Sequence, residues 1–236
     1  MSAPLPDPEI APKKSKWRDL LPRVLSAVVL IALGLGAVLS GHAAFRGLVV
    51  VAGLIGVWEL SNMYRLKKAA FGFNAGDALA LLGYGGLLLL GCLGLLKLSA
   101  EGGRVVLIYA IALVVVTDTL GYLVGKTLGG PKFWPRISPK KTWSGVLGGW
   151  IGVGFLAHWY HHLMPDGFVR LWFLVTASIA LAFASQLGDI LESALKRRMG
   201  VKDSSNIIPG HGGVLDRFDA LLALGALYYL LALIFS

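Results

Sequence analysis

"VVLIYAIALVVVTDTLGYLVG", Val105–Gly125, is 21 residues long and carries one charged side chain, Asp118. A helix rises about 1.5 Å per residue and needs roughly 20 mostly apolar residues to cross the hydrocarbon core of a bilayer. The stretch has that length and composition, and it reads as a transmembrane helix. Six further apolar runs flank it: Val24–Ser40, Ala44–Ser61, Ala78–Leu98, Gly145–Leu163, Val169–Gly188 and Phe218–Phe235. An open strand would leave backbone groups unpaired in lipid, so all seven are expected to be helical. Of the 236 residues, 56% are hydrophobic and 15% charged, and the mean hydropathy is +0.71, far from the balance of a soluble domain. The expected fold is therefore all-α, a polytopic integral membrane protein of about seven transmembrane helices in a multi-pass inner membrane setting.

The net charge of +9 raises the question of a nucleic-acid partner, and its distribution answers against one. If the runs alternate from a cytoplasmic N-terminus, the inner segments hold Lys13, Lys14, Lys16, Arg18, Arg23, Arg65, Lys67, Lys68, Lys126, Lys132, Arg136, Lys140, Lys141, Lys196, Arg197, Arg198, Lys202 and Arg217. The outer side keeps Arg46, Lys97, Arg104 and Arg170. This positive-inside bias predicts the N-terminus inside and the C-terminus outside. The first run reads as an uncleaved anchor rather than a secretory segment, and Cys92, the single cysteine, lies within an apolar run as a packing residue.

Residues 1–16, "MSAPLPDPEIAPKKSK", carry four prolines and no apolar period, and read as a disordered basic arm that touches anionic headgroups. Residues 17–104 then hold the N-terminal helices. Residues 105–236 form a C-terminal region with long inner loops over 126–144 and 196–217. Many of the 31 glycines fall inside the runs, as in "GLGAVLSG" and "SGVLGGWIGVG", where small residues let helices pack closely.

Ionisable groups inside a span cost a few kcal/mol and are functional candidates by default. Asp118 lies in the fourth run, Asp189 closes the sixth, and Asp216 with Asp219 opens the seventh, all near one inner level. Asp189, Glu192, Ser193 and Lys196 share one helical face. A salt bridge to a nearby base accounts for any one of these acids, but four converging carboxylates form a set of hard oxygen donors. Without a thiol or a suitable histidine pair beside them, that set fits Mg²⁺, with a second metal ion allowed, far better than zinc. Magnesium in turn implies a phosphate.

The run "KDSSNIIPGHGGVLDRFD", Lys202–Asp219, supplies turn glycines and cations beside those acids, and "SPKKTWSG" adds Ser138, Lys140, Lys141 and Thr142 on the neighbouring inner loop. Backbone N–H groups at paired glycines can approach an anion closely.

The whole stretch "SALKRRMGVKDSSNIIPGHGGVLDRFD", Ser193–Asp219, resembles the signature of the phosphatidate cytidylyltransferases, also called CDP-diacylglycerol synthases. Ser193, Lys196, Arg197, Lys202, Asp203, His211, Gly212, Gly213, Asp216, Arg217 and Asp219 stand at the signature's positions without a gap. The resemblance extends back through "QLGDILES" and "SPKKTWSG", more loosely through "TDTLGYLVGK", and includes the short feature "VWEL", Val57–Leu60. Two positions depart from the family pattern. Ser144 stands where many members carry an acid or amide, so it receives no role, and Gly121 stands where alanine is usual. The chain is also shorter than many bacterial relatives over Arg65–Arg104.

The resemblance implies transfer of CMP from CTP or dCTP to phosphatidic acid, giving CDP-diacylglycerol and pyrophosphate, among membrane lipids and with a homodimer left open. On this reading Asp189 and Asp216 hold the metal, with Asp219 and Asp118 as additional or outer ligands. Lys196, Arg197, Lys202 and Arg217 bind the triphosphate or the lipid phosphate, with Ser193 and Asp203 among the substrate contacts. Gly212 and Gly213 cradle a phosphate, and His211 either donates to the leaving group or shapes the turn. Lys140, Lys141 and Thr142 are further phosphate or nucleotide contacts. A coupled transporter would also explain intramembrane acids, but would put them near the midplane. A CDP-alcohol phosphotransferase would need an Asp-x-x-Asp-Gly run that the sequence lacks.

Overall fold

The computed structural model describes residues 20–165 and 169–235; the arm expected over 1–16 lies outside them. Seven helices are found among the described residues: α1 Leu20–Ser40, α2 His42–Phe71, α3 Ala75–Glu101, α4 Gly103–Leu128, α5 Trp143–His161, α6 Leu171–Met199 and α7 Leu215–Phe235. Each coincides with one of the seven apolar runs. Five of them, α2, α3, α4, α6 and α7, are long and apolar enough to cross a membrane. The apolar part described for α1, Val24–Ser40, is shorter, and α5 has 19 residues, five of them glycine.

The architecture is all-α apart from one small hairpin. Strands β1, Lys132–Trp134, and β2, Ser138–Thr142, pair antiparallel between α4 and α5. The sequence predicts a plain loop over 126–144; the hairpin departs from that because prolines interrupt the segment and β1 is only three residues long. Aromatic packing holds it: the Phe133 ring meets the Trp143 ring edge-on at 4.7 Å. Alternation along β2 sends neighbouring side chains to opposite faces. Lys140 is accordingly exposed while Lys141 turns inward.

Within the bundle α7 lies between α3 and α6, and α5 between α4 and α6. Small residues set the closest crossings. A Cβ on Gly94 of α3 would fall 1.8 Å from Gly225 O of α7, and one on Gly145 of α5 would fall 2.5 Å from Gly121 O of α4. Leu113, Val153, Ala157 and Ala182 fill the interior with no exposed surface. Facing outward, Ile31, Leu54, Leu82, Phe155 and Ile234 are 67–75% exposed, the reverse of a water-soluble surface and the pattern expected against lipid.

Two helices outrun their apolar stretches. α2 continues past Ser61 to Phe71, and α6 continues past Gly188 to Met199. The last turn of α6 carries Lys196, Arg197 and Arg198, whose charges suit the negative end of the helix dipole. Gly200 then stops the helix in the left-handed conformation, with Val201 N–H donating to Lys196 O at 3.0 Å. Asp189, Glu192, Ser193 and Lys196 therefore stand on one continuous rod.

Candidate active site

At one end of the bundle α6 and α7 bring three carboxylates together. Oxygens of Asp189 and Glu192 on α6 and Asp219 on α7 all lie within 4.8 Å of one another. Glu192 and Asp219 are buried, and Asp189 is partly open. Such proximity is unfavourable unless cations offset it. Lys141, reaching over from β2, meets Asp189 Oδ2 at 2.5 Å and donates to Gln186 O at 3.2 Å. Lys196 meets Glu192 Oε2 at 2.6 Å and also bonds Asp216 Oδ1. Glu192 Oε1 remains buried without a hydrogen-bond partner among the described residues.

Beside the triad opens a cleft of about 680 Å³, walled by α4, β2 and α6. Asp118, Lys126, Lys140, Lys141, Thr142 and Asp189 all line it. Thr142 has a second task, since its Oγ1 caps α5 by accepting Gly145 N–H at 3.2 Å. The unassigned Ser144 belongs to the same corner, donating to Gly129 O and sharing a hydrogen bond with Thr142.

Asp216 stands outside the triad. Its Oδ2 accepts Ser204 N–H and Ser204 Oγ–H, both at 2.8 Å, and Gly213 N–H at 2.7 Å. With Lys196 on its other oxygen, Asp216 ties both ends of the 204–213 loop to α6. The N–H of Gly213 is thus used within the protein, and glycine is required there sterically. A Cβ on Gly213 would lie 2.0 Å from Ser204 Oγ and 2.1 Å from Glu59 Oε1.

His211 and Arg217 form a separate turn. Arg217 Nε and Nη2 donate to His211 O at 3.0 and 2.7 Å, and His211 N–H donates to Ile208 O at 2.9 Å. The Ser26 hydroxyl on α1 donates to Pro209 O at 2.9 Å and lies 2.7 Å from His211 Nδ1. Arg197, Lys202 and Asp203 are exposed, whereas Ser193 is half-buried.

Glu59 received no role from the sequence. It has no exposed surface, and its carboxylate accepts Val214 N–H at 2.9 Å, Leu215 N–H at 2.8 Å and Ser205 Oγ–H at 2.5 Å. The free N–H groups and positive dipole end of α7 thereby neutralise a buried acid. Glu59 is the one acidic residue in the second apolar run, and the rule that singled out Asp118 could have found it.

The sequence pattern of the cytidylyltransferase family matches residues 78–235, from α3 through α7 and across every residue of the triad and cleft. The chain belongs to the cytidylyltransferase family. Among its relatives, the phosphatidate cytidylyltransferase of Brucella abortus is 42% identical over 146 residues, 61% of this chain and 53% of that protein. That of Staphylococcus epidermidis is 36% identical over 204 residues, 86% of this chain and 75% of its own length. That of Bacillus subtilis is 45% identical over 132 residues, covering 56% and 49% respectively. The chain spans about half the length of the first of these relatives. Ser26 and Glu59 lie before the residues that match the cytidylyltransferase family pattern, although both hold its signature loop in place.

Proposed function

We propose that the chain transfers the CMP group of CTP to phosphatidic acid, releasing pyrophosphate and forming CDP-diacylglycerol. The observation that carries this reading is the triad Asp189, Glu192 and Asp219, held between Lys141 and Lys196 and opening on a cation-lined cleft. The names of the relatives support it, and so does the length of the matched signature.

The triad suits a hard divalent cation. Its donors are carboxylate oxygens, and one buried oxygen, Glu192 Oε1, lacks a hydrogen-bond partner among the described residues. Mg²⁺ bound by Asp189, Glu192 and Asp219, with Asp118 as a further ligand, would neutralise charge on the phosphates. Asp216 serves this reading by fixing Lys196 and the loop.

The phosphate of phosphatidic acid has a second pKa of about 6 and is largely dianionic near neutral pH, so no strong base is needed. One of its oxygens forms the bond to the α-phosphorus of CTP. The bond from that phosphorus to the bridging oxygen breaks, and pyrophosphate leaves with the electron pair. Lys140, Lys141 and Lys126 line the cleft where the triphosphate would lie, and they offset its charge. Lys196 holds Glu192 and Asp216 in register, so that the triad keeps its spacing as charge moves.

The distribution of lysine and arginine supports seven spans in an inner membrane, with the N-terminus and the cleft on the cytoplasmic side. CTP then enters from the cytoplasm and the lipid from the inner leaflet. Incubating purified protein with phosphatidic acid, Mg²⁺ and each nucleoside triphosphate in turn tests the reaction. CDP-diacylglycerol and pyrophosphate from CTP or dCTP are expected, and the absence of any nucleotide-bearing lipid would overturn it.

A further inference from the structure

A second hollow, about 520 Å³, opens on the outer surface between α3 and α6, away from the cleft. Leu79, Gly83 and Leu87 form one wall, Leu191 and Ala194 the other, and Arg198 closes one end. At 3.6 residues per turn, Leu191, Ala194 and Arg198 lie about half a turn of α6 away from Asp189, Ser193 and Lys196. The hollow is therefore on the opposite face of that helix from the triad.

Its polarity is graded along the bundle. Arg198 Nε donates to Asp77 Oδ1 at 2.9 Å, which joins the end of α6 to the beginning of α3 and marks the polar end of the hollow. From Leu79 to Leu87 the walls run about 12 Å at the helical rise and are apolar apart from Tyr84, whose buried hydroxyl has no hydrogen-bond partner among the described residues. That distance fits within one leaflet of a hydrocarbon core about 30 Å thick. Arg198 keeps 46% of its side chain exposed, and beyond the Nε–H given to Asp77 and an Nη2 contact to Asn74 Oδ1 at 3.5 Å its guanidinium carries further N–H donors. More positive charge gathers at this level. Phe71 at the end of α2 packs beside Gly200, and the Lys67 ammonium lies 5.2 Å over the Phe71 ring, so one more cation stands near the end of α6.

We propose that this hollow is an accessory site for one anionic phospholipid, with its phosphate at Arg198 and an acyl chain along Leu79–Leu87. The occupant is distinct from the reacting lipid, because the hollow faces away from the carboxylates. Basic pockets between membrane helices at the headgroup level favour anionic lipids through charge, whereas a zwitterionic lipid brings its own cation and loses that gain.

Gly83 provides the test, since a Cβ built there meets nothing within 4 Å. Gly83→Phe projects a ring from that open position into the hollow, and Ala194→Phe fills it from the other wall. The full-length protein in detergent would be titrated with phosphatidylglycerol and, separately, with phosphatidylcholine of the same chains, and bound lipid counted by native mass spectrometry. One phosphatidylglycerol is expected to bind about five- to tenfold more tightly than phosphatidylcholine. Both filling variants should lose that preference while retaining the wild-type circular dichroism. Equal affinity for the two lipids, or an undiminished preference in both variants, would overturn the site. A rise in the KM for phosphatidic acid in Gly83→Phe would instead make the hollow the path of the reacting lipid, and would overturn its accessory character.

Discussion

Glu59 on α2 accepts the backbone N–H of Leu215 on α7 at 2.8 Å, across 156 residues of chain. The contact anchors the first turn of the helix that carries Asp216 and Asp219. It also explains how a fully buried carboxylate is tolerated, since every donor it meets is a backbone N–H at a helix start or a serine hydroxyl.

Replacing Glu59 by alanine leaves Val214 N–H, Leu215 N–H and the Ser205 hydroxyl to find other partners. The expected loss is about 2–3 kcal/mol, with a smaller loss for Glu59→Gln, which keeps one acceptor oxygen. Denaturant midpoints of the purified variants measure it, and an unchanged midpoint for Glu59→Ala would show that the cap is dispensable.

Asp219 and Asp216 are separated by one helical turn yet have different partners. Asp219→Asn should raise the Mg²⁺ concentration for half-maximal CDP-diacylglycerol formation by about 10- to 100-fold. Asp216→Asn should depress turnover and loosen the 204–213 loop with little change in that Mg²⁺ requirement. Titrating Mg²⁺ for both variants separates the roles, and identical shifts would remove the distinction drawn between them.

Lys196→Met would leave Glu192 and Asp216 without their shared cation. Turnover should fall about 10²- to 10³-fold, the usual scale for losing one preorganised charge contact in an active site. Lys196→Arg should recover part of that loss, because the charge returns with a different shape. A steady-state assay with saturating CTP gives the answer.

Lys141 and Lys140 are adjacent on β2 but only Lys141 reaches Asp189. Lys141→Ala is expected to raise the KM for CTP and lower turnover together, whereas Lys140→Ala should act on KM alone and more weakly as ionic strength rises. Measuring both constants at low and high salt distinguishes the two lysines.

The helices were legible because lipid imposes a simple length and composition rule, and each apolar run is found as a helix. The approach of Asp189 to Asp219 was also foreseeable, since both acids close or open a run at the same level. Glu192 shared the face of Asp189 in the helical offsets, yet its membership of the triad depends on how α7 crosses α6. Asp216, expected among the metal ligands, stands outside the triad with Ser204 and Gly213 as partners, neighbours that arise only when the loop folds back. Glu59 stands out as the one acid of its apolar run, but its partners at 205 and 214–215 leave no trace in sequence, and short β strands leave almost none.

Gly188 of α6 rests against Asp219 of α7 so closely that a Cβ would fall 2.5 Å from Asp219 O. Two main chains in direct contact have no rotamers between them. The distance between the two helices that carry the acids is thus gauged by main chain at this point, like two rules laid edge to edge. Rocking of either helix moves Asp219 relative to Asp189 and Glu192, and side-chain motion elsewhere in the bundle has little means to change that helix spacing.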